Sequence, residues 1–143
     1  MPVLGVRARS ISNTWHAGRS RGRKHEGQDI FARKGTPVVA ATDGIVVRLG
    51  GGELGGNAVF VAGRGARTFY YAHLDRYAEG VVPGTLVNSG EILGYVGNTG
   101  NARTTPPHLH FAVYSPTGPI DPLPLLRLEK TLNHPSGAQQ KQS

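Results

Sequence analysis

The sequence contains no cysteine, few acidic residues and no long apolar run. Without cysteine neither disulfides nor thiolate metal sites can form, so any bound metal must be held by His, Asp or Glu. No window approaches the ~20 apolar residues that span a bilayer. Residues 1–7 also lack the apolar core and cleavage site of a secretory signal peptide. We therefore expect a soluble domain with no membrane span and no export signal within this sequence.

Positive charge is concentrated at the amino-terminal end of the chain. The sequence has 16 basic and 9 acidic residues, and residues 1–34 hold eight of the basic residues against Glu26 and Asp29. Such blocks are typical of solvated or nucleic-acid-binding segments. Here Gly and Ser interrupt the block, and it lacks repeated aromatic residues that could stack on bases. Nucleic acid is therefore not expected as a partner, whereas an anionic polymer such as cell wall is compatible with the charge.

Short β-branched runs between frequent turn residues predict an all-β fold. The 143 residues suit one domain, and they include 21 glycines and 10 prolines. A faint repeat relates Gly35-Thr36-Pro37-Val38, followed by Gly44-Ile45-Val46, to Gly84-Thr85-Leu86-Val87, followed by Gly90-Glu91-Ile92-Leu93. We therefore expect a compact antiparallel β-sheet domain built of duplicated hairpins, with little helix. The connection 42–44 is predicted to be hairpin-like, residues 50–57 to be a flexible loop, and residues 123–132 to form a short helix or turn.

Two histidines, His108 and His110, stand one residue apart after a proline pair. Residues two apart share one face of a β-strand, whereas on a helix these two side chains would diverge. Prolines resist helix and are tolerated where a strand begins, which favours the strand. The two imidazoles should therefore point the same way. The core should receive the apolar residues at the alternate positions: Leu109, Phe111 and Val113.

A second candidate pair, His25 and Asp29, has a spacing of four residues. The string His-Glu-x-x-Asp resembles the helical zinc-protease motif His-Glu-x-x-His, but Gly27 disfavours a helix and the last position is Asp. An extended segment would place both side chains on one face, and the missing side chain of Gly27 would leave room for an ion. We therefore prefer the extended interpretation.

Two imidazoles and one carboxylate with an open fourth position make a catalytic zinc site. His25, Asp29 and one histidine of the pair His108/His110 could supply this set. The other histidine of the pair and His73 would then lie near the zinc-bound water, whose pKa zinc lowers to near ~7. Imidazole exchanges protons over the same pH range. Each histidine taken alone would more often be a surface or core residue than a ligand, so the prediction depends on the combination.

Five motifs then occur in a fixed order: His25-x-x-x-Asp29; Gly35-Thr36-Pro37-Val38 with Asp43-Gly44-x-Val46; Tyr71-Ala72-His73-Leu74; Gly97-Asn98-Thr99-Gly100; and His108-Leu109-His110-Phe111. Together they closely resemble the lysostaphin-type zinc metallopeptidases, which cut peptide bonds in bacterial peptidoglycan. The resemblance covers roughly residues 22–125. It departs from the family at Ala112, where many relatives have Glu, and in the loop 103–107, which lacks the usual Gly-Pro.

The resemblance implies a role for each candidate residue. His25, Asp29 and His110 match the zinc ligands, and His73 and His108 match the two histidines that activate water and stabilise the oxyanion. The implied cofactor is Zn²⁺, and the implied partners are stem or cross-link peptides of peptidoglycan in the periplasm or cell envelope. The bond cleaved and the oligomeric state are left open. The alternative function is that of a non-catalytic, cell-wall-binding regulator of other wall hydrolases. The resemblance implies this role for relatives that have lost zinc ligands.

The resemblance also implies the organisation of the chain. Residues 1–21 are predicted to be an irregular basic segment, residues 22–132 the zinc metallopeptidase domain, and residues 133–143 a disordered tail rich in Ser, Gly, Gln and Lys.

Overall fold

The computed structural model describes residues 1–7, 13 and 27–126. The described part of the chain contains nine strands: β1 (Gln28–Phe31), β2 (Pro37–Val39), β3 (Gly44–Leu49), β4 (Asn57–Gly63), β5 (Arg67–Tyr77), β6 (Leu86–Val87), β7 (Ile92–Val96), β8 (His108–Ser115) and β9 (Gly118–Ile120). One helical turn, α1 (Gly52–Gly55), and two 3₁₀ turns, Arg64–Ala66 and Gly100–Ala102, lie between strands. Within these residues no helix has the length and apolarity needed to cross a membrane.

All strand pairs are antiparallel, and the sheet runs in the order β1-β8-β5-β4-β3-β6. Strand β7 pairs with both β2 and β5, and β9 pairs with the carboxyl-terminal part of β8, Val113–Ser115. The predicted all-β class is confirmed. The long central strands β5 and β8 hold the sheet together, because each pairs with three other strands.

The sequence repeat is visible in the fold, and its two units pair crosswise. Strand β2 of the first unit pairs with β7 of the second, and β3 pairs with β6. The connection 42–44 therefore does not close a hairpin, and that prediction is wrong. The side chains of this connection form hydrogen bonds with other segments: Asp43 accepts from the amide of Ser89, and Thr42 accepts from the amide of Arg64.

Two further local predictions can be compared with the structure. The glycine-rich stretch 50–57 was expected to be a loop, and it contains the single turn α1. Residues 123–126 are helical, in agreement with the expected helix or turn, and the rest of that segment lies outside the described residues. The tail 133–143 lies outside them too, as does most of the basic segment 1–21.

The hydrophobic core lies against one face of the sheet. Strand β8 contributes Leu109, Phe111 and Val113, each at most 1% exposed. Strand β5 adds Tyr71 and Leu74, both fully buried. Apolar residues at alternate positions of a strand share one face, so the opposite face of β8 is left for His108 and His110.

Candidate metal centre and active site

The pairing of β1 with β8 brings the candidate residues of the two strands together. Asp29 lies opposite His110, and Phe31 lies opposite His108. Directly opposed residues of an antiparallel pair have side chains on the same face. Accordingly, Asp29 Oδ1 is 3.2 Å from His110 Nδ1 and 3.8 Å from His108 Nε2. The carboxylate is 9% exposed, so the contact is largely screened from bulk water.

Gly27 makes room for the His110 imidazole. A Cβ at Gly27 would lie 2.9 Å from His110 Cε1 and 2.7 Å from the carbonyl oxygen of Phe111. Both distances are too short for a real side chain. Within the described residues, the missing side chain of Gly27 thus leaves room for the ring of His110, and room for an ion there stays a prediction.

Asp29 and His110 fit a zinc site. Two ligands bound to zinc at ~2.0–2.1 Å in a tetrahedral arrangement lie about 3.3 Å apart. The observed 3.2 Å between Oδ1 and Nδ1 agrees with that separation. Residues 27–126, with 1–7 and 13, contain no group of three His, Cys, Asp or Glu that could hold a metal. The third predicted ligand, His25, lies outside this part of the chain.

His108 is oriented by the backbone that precedes it. Its Nδ1 is 3.0 Å from the carbonyl oxygen of Pro106. Because a carbonyl can only accept, Nδ1 carries the hydrogen and Nε2 faces Asp29. The ring of Phe31 lies 4.8 Å from that of His108, measured between centroids, and Phe31 is 52% exposed. His108 is thus fixed on one side by a carbonyl and on the other by a partly exposed aromatic ring.

His73 is held in the same tautomer by a different loop. Its Nδ1 donates to the carbonyl oxygen of Thr99 at 2.8 Å, which leaves Nε2 available. The ring centroids of His108 and His110 lie 5.0 and 6.0 Å from that of His73. Burial lowers the pKa of His73 from 6.5 to about 4, and the bond to Thr99 opposes part of that shift. His73 is therefore neutral at pH 7 and can accept a proton at Nε2.

An irregularity in β5 aims His73 at the site. Three steps along β5, from Tyr71 to Leu74, oppose only two steps of β4, which is a β-bulge. Within it His73 has φ 66°, a conformation that non-glycine residues rarely adopt and that costs about 1–3 kcal/mol. Tyr71 and Leu74 both enter the core, although strict alternation would place them on opposite faces. The bulge thus directs His73 away from the core and toward His108.

Two glycine-containing turns pack together beside these histidines. A Cβ at Gly56 would lie 2.5 Å from the amide nitrogen of Gly100, and a Cβ at Gly100 would lie 2.5 Å from that of Gly56. Thr99 reinforces the contact, since its hydroxyl donates to Leu74 and accepts from the amide of Asn57. The Thr99 carbonyl that orients His73 is therefore fixed by this junction, which we call the glycine contact.

Of the five predicted site residues, the structure brings four together: Asp29, His73, His108 and His110. The sequence analysis did not identify Phe31, the Thr99 carbonyl or Tyr70, whose ring is 5.9 Å from that of His110. The alternation of side chains along a strand would have indicated Phe31, because it is two residues from Asp29 on β1. Nothing local marks Tyr70, since its place depends on the β5–β8 pairing.

Comparisons with known proteins identify similar sequences and similar folds. The L-Ala–D-Glu endopeptidase of Bacillus subtilis is 36% identical over an alignment of 129 residues that covers 82% of this chain and 40% of that protein. The catalytic domain of lysostaphin from Staphylococcus simulans has a TM-score of 0.69 and 31% identity, covering 84% of this chain and 95% of that one. A zinc-containing peptidase from Vibrio cholerae has a TM-score of 0.66 and 30% identity, covering 79% and 34%.

The chain spans less than half the length of the Bacillus relative that it matches. The profile of Peptidase family M23 matches residues 23–122, which contain all five predicted site residues. The chain belongs to Peptidase family M23.

Proposed function

We propose that this protein is a zinc-dependent endopeptidase that hydrolyses peptide bonds in bacterial peptidoglycan. The observation that carries the proposal is the convergence of Asp29 and His110 with two oriented imidazoles, His73 and His108, on one face of the sheet. The names of the relatives support the substrate, because they describe endopeptidases and include an L-Ala–D-Glu endopeptidase. On this proposal the protein acts outside the cytoplasm, on stem or cross-link peptides.

His25, Asp29 and His110 would hold the metal. The donor set of two imidazoles and one carboxylate suits zinc, and the separation of Asp29 from His110 matches two of its ligands. Bound zinc would supply Lewis acidity and lower the pKa of water. The fully buried neighbour Gln28 stabilises the strand that carries Asp29, because its amide donates to Asp121 at 2.8 Å and to Asn13 at 2.9 Å.

His73 and His108 would move the proton. Each has Nδ1–H bonded to a backbone carbonyl, so each turns its Nε2 toward the site. One of these nitrogens can take the proton of the attacking water. The imidazolium that results can donate to the developing oxyanion or to the leaving amine. Since the carbonyl bonds fix both rings, little reorientation is needed during the reaction.

Digestion of purified cell walls, followed by mass spectrometry of the muropeptides, tests the proposal. The zinc-loaded protein should release new peptide fragments, and Asp29→Asn should lose both zinc and cleavage. We expect an activity loss of more than about a hundredfold, because changing even the hydrogen-bond partners of metal ligands costs about 10–100-fold.

The matched control is Asp43→Asn. Asp43 is an exposed carboxylate that bonds Ser89 and Arg64 and lies outside the site, so its variant should keep zinc and activity. The proposal would be overturned if protein with confirmed zinc content released no fragment from walls of either Gram type. Stimulation of another wall hydrolase without any cleavage would instead support the regulator.

A further inference from the structure

A strip of side chains leads from His110 across three further strands to an arginine. Arg48 on β3 lies opposite Phe60 on β4, Phe60 lies opposite Tyr70 on β5, and Tyr70 lies opposite Ala112 on β8. Directly opposed residues share one face of the sheet, and Ala112 shares a face with His110 two residues earlier. The strip therefore lies on the same face as the candidate metal centre.

Consecutive members of the strip are in contact. The ring centroids of His110 and Tyr70 are 5.9 Å apart, and those of Tyr70 and Phe60 are 4.6 Å apart. The guanidinium carbon of Arg48 lies 4.8 Å above the Phe60 ring. Phe60 and Tyr70 are partly exposed and Arg48 is exposed, so the strip can be reached from solvent. Aromatic faces of this kind can carry a peptide chain away from the reacting bond.

Arg48 has a charge that no carboxylate of residues 1–7, 13 and 27–126 neutralises. Among the described arginines, Arg64 pairs with Asp43 and Arg76 pairs with Asp75. No carboxylate in the described residues lies within ion-pair distance of Arg48. Stacking on Phe60 orients the guanidinium plane and leaves its N–H edge free to bind a carboxylate through two hydrogen bonds.

We propose that Arg48, Phe60 and Tyr70 form a specificity subsite for a peptide carrying a free carboxylate. The inference rests on the proposed peptidase function and deepens it. Three strand spacings separate β8 from β3, which is about 14 Å. An extended peptide advances ~3.3–3.6 Å per residue, so the recognised carboxylate lies about four residues from the cleaved bond. The acidic residues of peptidoglycan stem peptides supply such carboxylates.

The test compares cross-linked stem peptides whose acidic side chains are either free or amidated. Equilibrium binding and kcat/KM are measured for zinc-loaded wild type, Arg48→Gln, Arg48→Lys and Arg76→Gln. Wild type should prefer the free acid by about tenfold, the size expected of one charge-assisted pair. Arg48→Gln should bring the ratio to about one, and Arg48→Lys should retain part of the preference.

Arg76→Gln is the matched control, because Arg76 also stacks on an aromatic ring, that of Tyr95 at 4.1 Å, but is paired with Asp75. It should keep the wild-type ratio. An unchanged ratio in Arg48→Gln, or no preference in wild type, would overturn the subsite. The binding measurement separates the two proposals. Arg48-dependent binding of the free acid without any cleavage would retain the subsite and refute the peptidase. Cleavage without a preference for the free acid would retain the peptidase and refute the subsite.

Discussion

The two faces of β8 differ completely in what they contact. Leu109, Phe111 and Val113 are buried in the core, where Phe111 packs against Tyr71 with ring centroids 5.3 Å apart. On the other face His108 and His110 contact Asp29, and their rings lie beside those of Phe31 and Tyr70 respectively. Alternation along one strand thus joins a rigid apolar layer to a reactive polar one.

This difference indicates how the site keeps its geometry. Core packing fixes the backbone of β8, and that backbone fixes the Cα positions from which the side chains of His108 and His110 project. Hydrogen bonds to the carbonyl groups of Pro106 and Thr99 then limit the rotation of the His108 and His73 rings. Substitutions on the two faces should therefore have separable effects, on turnover and on the free energy of unfolding.

The largest effect is expected from His108→Ala on the polar face. Loss of the Nε2 acceptor should lower kcat by about 10²–10⁴-fold, the usual contribution of a general acid or base. Zinc content should stay at the wild-type level, because His108 is not among the predicted ligands. Metal analysis beside turnover on cell walls checks this. Loss of zinc together with activity would show that the predicted division of labour between His108 and His110 is wrong.

The neighbouring substitution Leu109→Ala should act on the apolar face. Leu109 is fully buried, and truncation of such a side chain lowers the free energy of unfolding by about 2–5 kcal/mol. Turnover per folded molecule should change much less than in His108→Ala. Urea denaturation gives the first quantity, and kinetics at low temperature, corrected for the folded fraction, give the second. A wild-type unfolding midpoint would contradict the separation of the two faces.

The smallest effect concerns the dependence of stability on pH. The pKa of His73 falls from 6.5 to about 4 in the folded protein, so between these values the unfolded chain binds more protons. The free energy of unfolding should therefore decline as pH falls from about 6.5 through about 4. In His73→Gln this part of the decline should disappear. Urea midpoints of the metal-free proteins at pH 7, 5.5 and 4.5 measure the difference, and equal slopes would contradict it.

The sequence predicted the parts of the fold and site that depend on local periodicity. His108 and His110 were expected to share a face and Leu109, Phe111 and Val113 to enter the core, and the structure confirms both. The all-β class followed from turn residues and β-branched runs in the same way. The roles of the site residues stay predictions, and His25 lies outside the described residues.

Features that depend on pairing between distant strands could not be predicted. Alternation would place His73 on the same face as Tyr71, and only the bulge opposite β4 reverses this. Likewise the connection 42–44 has the composition of a hairpin turn, but β2 pairs with β7 instead. The strip from Arg48 to Tyr70 arises from three strands whose order no local pattern specifies.

The glycine contact has a consequence for how this protein could be re-engineered. The turn that contains Gly56 and the turn that contains Gly100 approach too closely for either to accept a side chain, and the second carries the Thr99 carbonyl that holds His73. A graft that exchanged one turn alone would therefore displace the other and rotate the ring of His73. The two segments should be transplanted as a pair. A chimaera designed for a new cleavage specificity should therefore exchange both turns or neither.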